Sequence, residues 1–331
     1  MVTIKDIANK LGVSISTVSK GLNGADDISE EMRQMVLDTA VEMGYAPKRG
    51  KKPGKRRVCI LIENLEYENI DQFGYEIVLG FKLSAVRHHC EVSVIPTNLN
   101  LLTREKYDCF MLKNGFSGAF LLGFALHDDY IQQLNKTNVA TVLLDNYNPN
   151  PFVGYVGTDG YHGIDMAIKH LHDYGHKKIA LLNGSKNCMV TNDRRLAFLQ
   201  AMERYSLKAD PKLIANGYYV ADCAKDYVST FLNHGATAIM CASDLIASGV
   251  LYELKRLGVR VPRDVSVVGF DDLPIARRLS PSLTTIRQDR LSLGKSAFMM
   301  LEELINGINI SKVLLKPELI VRDSTGPNPK L

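Results

Sequence analysis

Apolar positions along this chain change period twice. Over residues 3–11, Ile4, Ile7, Ala8 and Leu11 recur at i, i+3, i+4 and i+7, which predicts one apolar stripe on a short helix. Thr3 and Asp6 form a capping-box pattern at its start, and Gly12 stops it. A second helix starts at once, with Ser14 as N-cap and Val13 and Val18 at the positions of a hydrophobic staple. Two helices joined by so short a turn must cross steeply, as in a helix-turn-helix. A third helix follows from the N-cap Ser29. Glu30 and Glu31 suit its first turn, Met32, Val36, Ala40 and Met43 continue an inward stripe, and Gly44 and Pro47 close it.

From Val58 the pattern is different. Short β-branched or apolar runs alternate with amphipathic stretches: VCILI (58–62), SVI (93–95), GAFLL (118–122), VATVLL (139–144), KIALL (178–182), TAIMC (237–241) and VSVVGF (265–270). Strands alternating with helices predict parallel α/β sheets, and residues 58–331 are enough for two doubly wound lobes. Ligands of such sheets bind beyond the carboxyl ends of the strands.

Between the two patterns lies PKRGKKPGKRRV. Seven of the ten residues from Lys48 to Arg57 are basic, and Gly50, Pro53 and Gly54 oppose a helix there. The chain's net charge of +4 sits entirely in residues 1–57, which hold eleven Lys/Arg against seven Asp/Glu; the remainder balances. That asymmetry points to a polyanionic partner for the N-terminal part. Six scattered cysteines without a CxxC pair read as reduced residues of a cytoplasmic protein, and neither a secretory signal nor a membrane span is expected.

The second helix is informative by face. With Val18 and Leu22 turned inward, Ser16, Ser19, Lys20 and Asn23 share the opposite side. A short, polar, acid-free face can approach a major groove and hydrogen-bond to phosphates and base edges. Ile15 is an odd apolar residue there, placed either to pack under the turn or to touch a thymine methyl.

These residues carry a resemblance. TIKDIANKLGVSISTVSKGLNG with ISEEMRQMVLDTAVEMGYAP resembles, without a gap, the headpiece of the LacI/GalR family of bacterial transcription regulators. The likeness continues to about Arg322 through GTDGYHGIDMAIKHLHDYGHKKIALLNG, the RRLAF segment, CASDLIASGVLYELKRLGVRVPRDVSVVGFDD and SPSLTTIRQDRLSLG. It implies a headpiece (1–46), a basic linker (47–57) and a periplasmic-binding-protein-like core (58–331) whose chain crosses between lobes near 156, 286 and 315. It further implies a dimeric repressor of palindromic operator DNA, controlled by a small molecule such as a sugar. Base reading falls to Ile15, Ser16 and Lys20, and phosphate contact to Thr3, Ser14, Thr17, Ser19, Asn23, Ser29 and Tyr45. The implied effector positions are Phe73, Asp145, Arg195, Ser243 and Asp271. Each also has a plainer reading: Asp145 and Asp271 as caps at strand ends, Arg195 as half of a surface pair with Arg194, Phe73 as core. Ser243 stands where relatives often have Asn, and Gly74 where a second aromatic is common.

The linker departs from the family. No apolar wedge lies between Tyr45 and Val58, and Gly54 falls where a hinge-helix Leu is usual. The expectation is a tether acting by charge, with Lys51, Lys52, Lys55 and Arg56 following the phosphates.

Other chemistries find little footing. No GxGxxG follows a strand. LGKS at 293–296 lies inside a helical run, so it reads as a chance match to a phosphate loop. His170 and His172 do not share a helix face, His88-His89 fares no better, and no catalytic signature is visible, so neither a cofactor, a metal nor an enzyme is expected. A different class stays open: a ligand-binding or enzymatic α/β protein whose headpiece no longer selects a sequence.

Overall fold

A computed structural model describes residues 2–25, 27–45, 56–97, 105–126 and 128–329. Three helices form the headpiece: α1 (Ile4–Leu11), α2 (Ile15–Asn23) and α3 (Glu30–Glu42). The caps are those the pattern predicts. The Thr3 backbone N–H donates to Asp6 at 2.8 Å while Thr3 Oγ1 accepts from the Asp6 N–H. Ser14 Oγ accepts from Thr17 N at 3.0 Å, and Ser29 Oγ from Met32 N at 3.2 Å. The chain leaves α1 and α2 at Gly12 and Gly24, both left-handed with φ of 67° and 68°, a conformation glycine adopts without strain. Ile7, Ala8, Val18, Val36 and Ala40 are buried together, with Val13, Leu22, Met32, Met43 and Tyr45 around them.

The core builds two six-stranded sheets. Lobe 1 holds β1 (Arg57–Ile62), β2 (Glu91–Pro96), β3 (Gly118–Leu122), β4 (Ala140–Leu144), β5 (Val153–Thr158) and β11 (Lys312–Leu315), in the order β11-β5-β4-β3-β1-β2. Its helices include α5 (Tyr107–Lys113) and α6 (Asp129–Gln133). Lobe 2 holds β6 (Ile179–Asn183), β7 (Ile214–Asn216), β8 (Ala238–Cys241), β9 (Ser266–Asp271), β10 (Thr284–Arg287) and β12 (Glu318–Ile320), ordered β12-β10-β9-β8-β6-β7. Its helices are α7 (Gly160–Asp173), α8 (Met189–Arg204), α9 (Ala224–Asn233), α10 (Asp244–Arg256) and α11 (Pro274–Arg278). Two further helices, α4 (Phe73–Arg87) and α12 (Arg290–Ile305), have their first turns grouped with lobe 2 and the rest with lobe 1. β6, β8, β9 and β10 pair in parallel, and β12 closes the edge antiparallel.

All seven predicted strands are present. The chain leaves lobe 1 for lobe 2 at Val156 and again at Leu314, and it returns to lobe 1 at Lys295 rather than near 286, because β10 still belongs to the lobe 2 sheet. The linker is shorter than the sequence reading: β1 already starts at Arg57, and the Glu91 N–H donates to Arg56 O at 2.8 Å. Gly294 lies within α12, so the LGKS segment is helix and not a phosphate loop.

Candidate DNA-reading face and effector site

The headpiece presents one polar face. Ser16 and Asn23 are exposed, Ser19 and Lys20 half-buried, and Ile15 is 53% exposed, so it does not pack under the turn. Asn23 Nδ2 donates to Ser19 O at 2.7 Å, and Ser14 and Thr17 share a hydroxyl contact at 2.8 Å, which pre-orders the start of α2. Lys20 is not free: its ammonium pairs with Asp27, and that hydrogen bond holds the Asp27 carboxyl below its usual range. Tyr45 packs against the headpiece core, and burial raises its phenol pKa. Thr3 and Ser29 spend their hydroxyls on caps at exposed helix starts. Lys51, Lys52 and Lys55 lie outside the described residues. Arg56 Nη1 sits 3.6 Å from Glu302 Oε1 of α12, in the core.

In lobe 2 the carboxyl ends of β6, β8 and β9 converge on a cluster of buried polar groups. Asp271 ends β9, buried, with φ of 121°, and Asp272 follows at φ 52°. Two successive non-glycine residues in this region mark a turn held by its surroundings. Gln288 Nε2 donates to Asp271 Oδ1 at 2.7 Å, and Arg290 Nη1 donates to its backbone oxygen at 2.6 Å. Burial lifts the Asp271 carboxyl to about 6, while Arg194, Gln288 and Arg290 oppose that rise. Asp244 behind it is wholly buried and accepts from Thr285 Oγ1 at 2.6 Å and Leu273 N at 2.7 Å; burial and the Asp271 charge keep it protonated well above the usual range.

The guanidinium in this cluster is Arg194, and Arg195 is corrected accordingly. Arg194 is 4% exposed, stacks over Phe270 at 4.0 Å from the ring centroid and donates to Ala242 O. Its Nε has no hydrogen-bond partner among the described residues. Arg195 is exposed on the other side of α8, one helical step away, and lines a shallow groove with Lys186 and Asn216. Sequence gave two adjacent arginines. Periodicity separates them: Ala197, Phe198 and Ala201 are buried, and Arg194 lies three and four positions before the first two.

Ser243 is buried as the N-cap of α10, its Oγ accepting from Ile246 N at 3.2 Å. Its hydroxyl therefore serves as a cap. Phe73 is half-buried at the start of α4, and Glu76 in the same turn binds Arg290 Nη2 at 2.7 Å, which fastens that turn to the Asp271 loop. Asp145 belongs to lobe 1, at the end of β4, left-handed at φ 49°. Tyr219, Gln288, Arg290 and Glu76 are additions that no sequence signal marked. Tyr219 O–H meets Thr191 Oγ1 at 3.0 Å, and Gly184 leaves room for its ring, since a Cβ there would stand 2.1 Å from the ring.

A helix-turn-helix unit preceding two parallel-sheet lobes with a polar cluster at the strand ends defines the class: a DNA-binding regulator carrying a periplasmic-binding-protein-like sensor. Comparison agrees. Residues 3–48 match the model for bacterial regulatory proteins of the lacI family, and residues 168–325 that for a periplasmic binding protein-like domain. The chain is 30% identical over 328 residues to the HTH-type transcriptional regulator RegA of Clostridium saccharobutylicum, covering 98% of this chain and 99% of RegA. It is 28% identical over 331 residues to the HTH-type transcriptional repressor CytR of Escherichia coli strain K12, covering 98% and 96%. Among solved structures it is similar to a CelR–cellobiose complex (TM-score 0.72, 25% identity, 98% of this chain and 100% of that one). It is also similar to a lac repressor dimer bound to operator and the anti-inducer ONPF (TM-score 0.70, 26% identity, 98% and 99%). The chain belongs to the lacI family and is an effector-controlled, DNA-binding transcriptional regulator.

Proposed function

We propose that this protein is a homodimeric repressor that reads a palindromic operator with α2 and senses a small hydroxyl-rich ligand at the lobe 2 cluster. The observation that carries the sensor reading is the buried Arg194–Asp271 arrangement, with a guanidinium Nε and a Gln288 Oε1 beside it that have no partner among the described residues. A donor and an acceptor left open in a dry site fit a ligand that brings both, as sugar hydroxyls do. Phe73 would cover an apolar ligand face. Arg194 replaces Arg195 in this set, and Ser243 contributes shape.

Self-association is supported by an exposed apolar stripe on α4, Leu79, Leu83 and Val86, at i, i+4 and i+7. A single headpiece offers too little contact for tight specificity, and two on half-sites a helical turn apart suffice. No helix among the described residues is long and apolar enough to cross a membrane, which fits a protein working on DNA in the cytoplasm. No catalytic role is proposed.

The test is selection of bound duplexes from a random pool with the full chain near physiological salt. Enrichment of a palindrome is expected. DNA retained with no sequence preference would overturn the repressor reading.

A further inference from the structure

The helical part of the headpiece is acidic. Residues 1–45 hold seven Asp/Glu against four Lys/Arg, and four of the acids, Glu30, Glu31, Asp38 and Glu42, lie on α3. Such a helix is repelled by phosphates, so its acidic side needs another partner. In the structure that partner is α5 of lobe 1. Leu112 packs into the headpiece core, and Cys109, fully buried, points its thiol at Asp38 Oδ1 3.5 Å away. Lys106 Nζ lies 3.8 Å from Asp38 Oδ1, and Lys113 Nζ 3.6 Å from Glu30 Oε1.

The seat under the headpiece is bonded into lobe 1. Tyr107, buried in α5, bonds Thr141 of β4 through its hydroxyl at 2.7 Å, and its N–H donates to Gln133 of α6 at 2.7 Å. Asp108 is hydrogen-bonded to Thr137. Asp145, which the resemblance names as an effector position, follows the end of β4, four residues beyond Thr141.

We propose that the α3–α5 seat fixes each headpiece to lobe 1 and transmits lobe movement to it. This rests on the regulator reading above. Docked this way, two headpieces in a dimer have a set separation, so the operator must have a set half-site spacing.

Two measurements on the full chain test it. Asp38→Cys places a second thiol beside Cys109. With diamide as oxidant, the two thiols join as a disulfide, losing two protons and two electrons while diamide is reduced to its hydrazine. Expected is one intramolecular bridge, absent in Asp38→Cys/Cys109→Ser. The second measurement uses the selected operator with one base pair inserted between its half-sites. The wild type should bind this duplex at least tenfold more weakly. Lys106→Glu/Lys113→Glu, which changes exposed side chains only, should discriminate by less than threefold, and the swap Asp38→Lys/Lys106→Glu should recover part of the discrimination. A wild type indifferent to the insertion, or a charge-reversed variant as discriminating as the wild type, overturns the proposal. Failure of the disulfide with operator selection intact overturns the seat alone. Failure to select any operator overturns the regulator reading and the route with it.

Discussion

Asp271, a proposed effector residue, shows how a buried carboxyl ties stability to pH. Its carboxyl is raised from the ordinary 3.8 to about 6 in the folded chain, chiefly by burial. A raised pKa means that the folded state binds the proton more tightly than the unfolded state. The associated stability is full below about pH 4 and is lost as pH rises through about 6, a penalty on the order of 3 kcal/mol at neutral pH. Asp271→Asn keeps the acceptor for Gln288 and removes the titration. The difference in unfolding free energy, variant minus wild type, should therefore grow between pH 4 and 7 in urea titrations; a flat difference would show that Asp271 ionises freely. Arg194 acts in the opposite sense, as a cation favouring the ionised carboxylate. Arg194→Ala should cost about 3 kcal/mol by opening a buried, stacked and hydrogen-bonded position, whereas Arg195→Ala should stay within about 0.5 kcal/mol. Equal losses at the two positions in the same titration would reverse the assignment.

At the scale of elements, α10 shows a close approach on which lobe 2 depends. A Cβ on Gly249 would stand 1.9 Å from the Ala221 backbone oxygen, so the helix rests directly on the chain that leads into α9. Gly249→Ala must push backbone from backbone and should lower stability by about 1–3 kcal/mol despite its gain in helix propensity; a thermal melt at or above the wild-type midpoint would contradict this. Such approaches are invisible in sequence, where Gly249 merely interrupts an amphipathic run. The elements that sequence did reveal share a property: their decisive interactions are local. The headpiece caps lie within three residues of their partners, and the strands found first, such as VCILI and GAFLL, are buried on both faces and read as unbroken apolar runs. The strands not anticipated, β5, β7, β10, β11 and β12, are short, glycine-interrupted or half-exposed. The site follows the same rule. Asp271 was legible because it ends a strand, whereas Glu76, Gln288 and Arg290 meet it only through tertiary folding, and the choice between Arg194 and Arg195 needed the register of α8.

Across the whole molecule, charge divides the labour of holding DNA. The headpiece helices are net acidic, and the excess positive charge lies in residues 48–57. On the proposed function, non-specific attraction would belong to the tether, and α2 would supply shape and hydrogen bonds. Each phosphate neutralised by a lysine contributes about 0.9 to the slope of log K against log salt on duplex DNA. Lys51→Ala, Lys52→Ala and Lys55→Ala together should flatten that slope by up to about 2.7, while leaving preference among duplexes little changed. Arg56→Ala should leave the slope within about 0.3 of the wild type, because its guanidinium is already paired with Glu302, which also accepts His88 Nδ1 at 2.7 Å. These two results together would divide four basic residues that look alike in sequence into three for DNA and one for the core. Fluorescence anisotropy of a labelled duplex over a range of salt concentrations reads both slopes directly. A slope that falls as much for Arg56→Ala as for a single lysine would mean that the Arg56–Glu302 pair opens on DNA and that the tether is one residue longer than the fold describes.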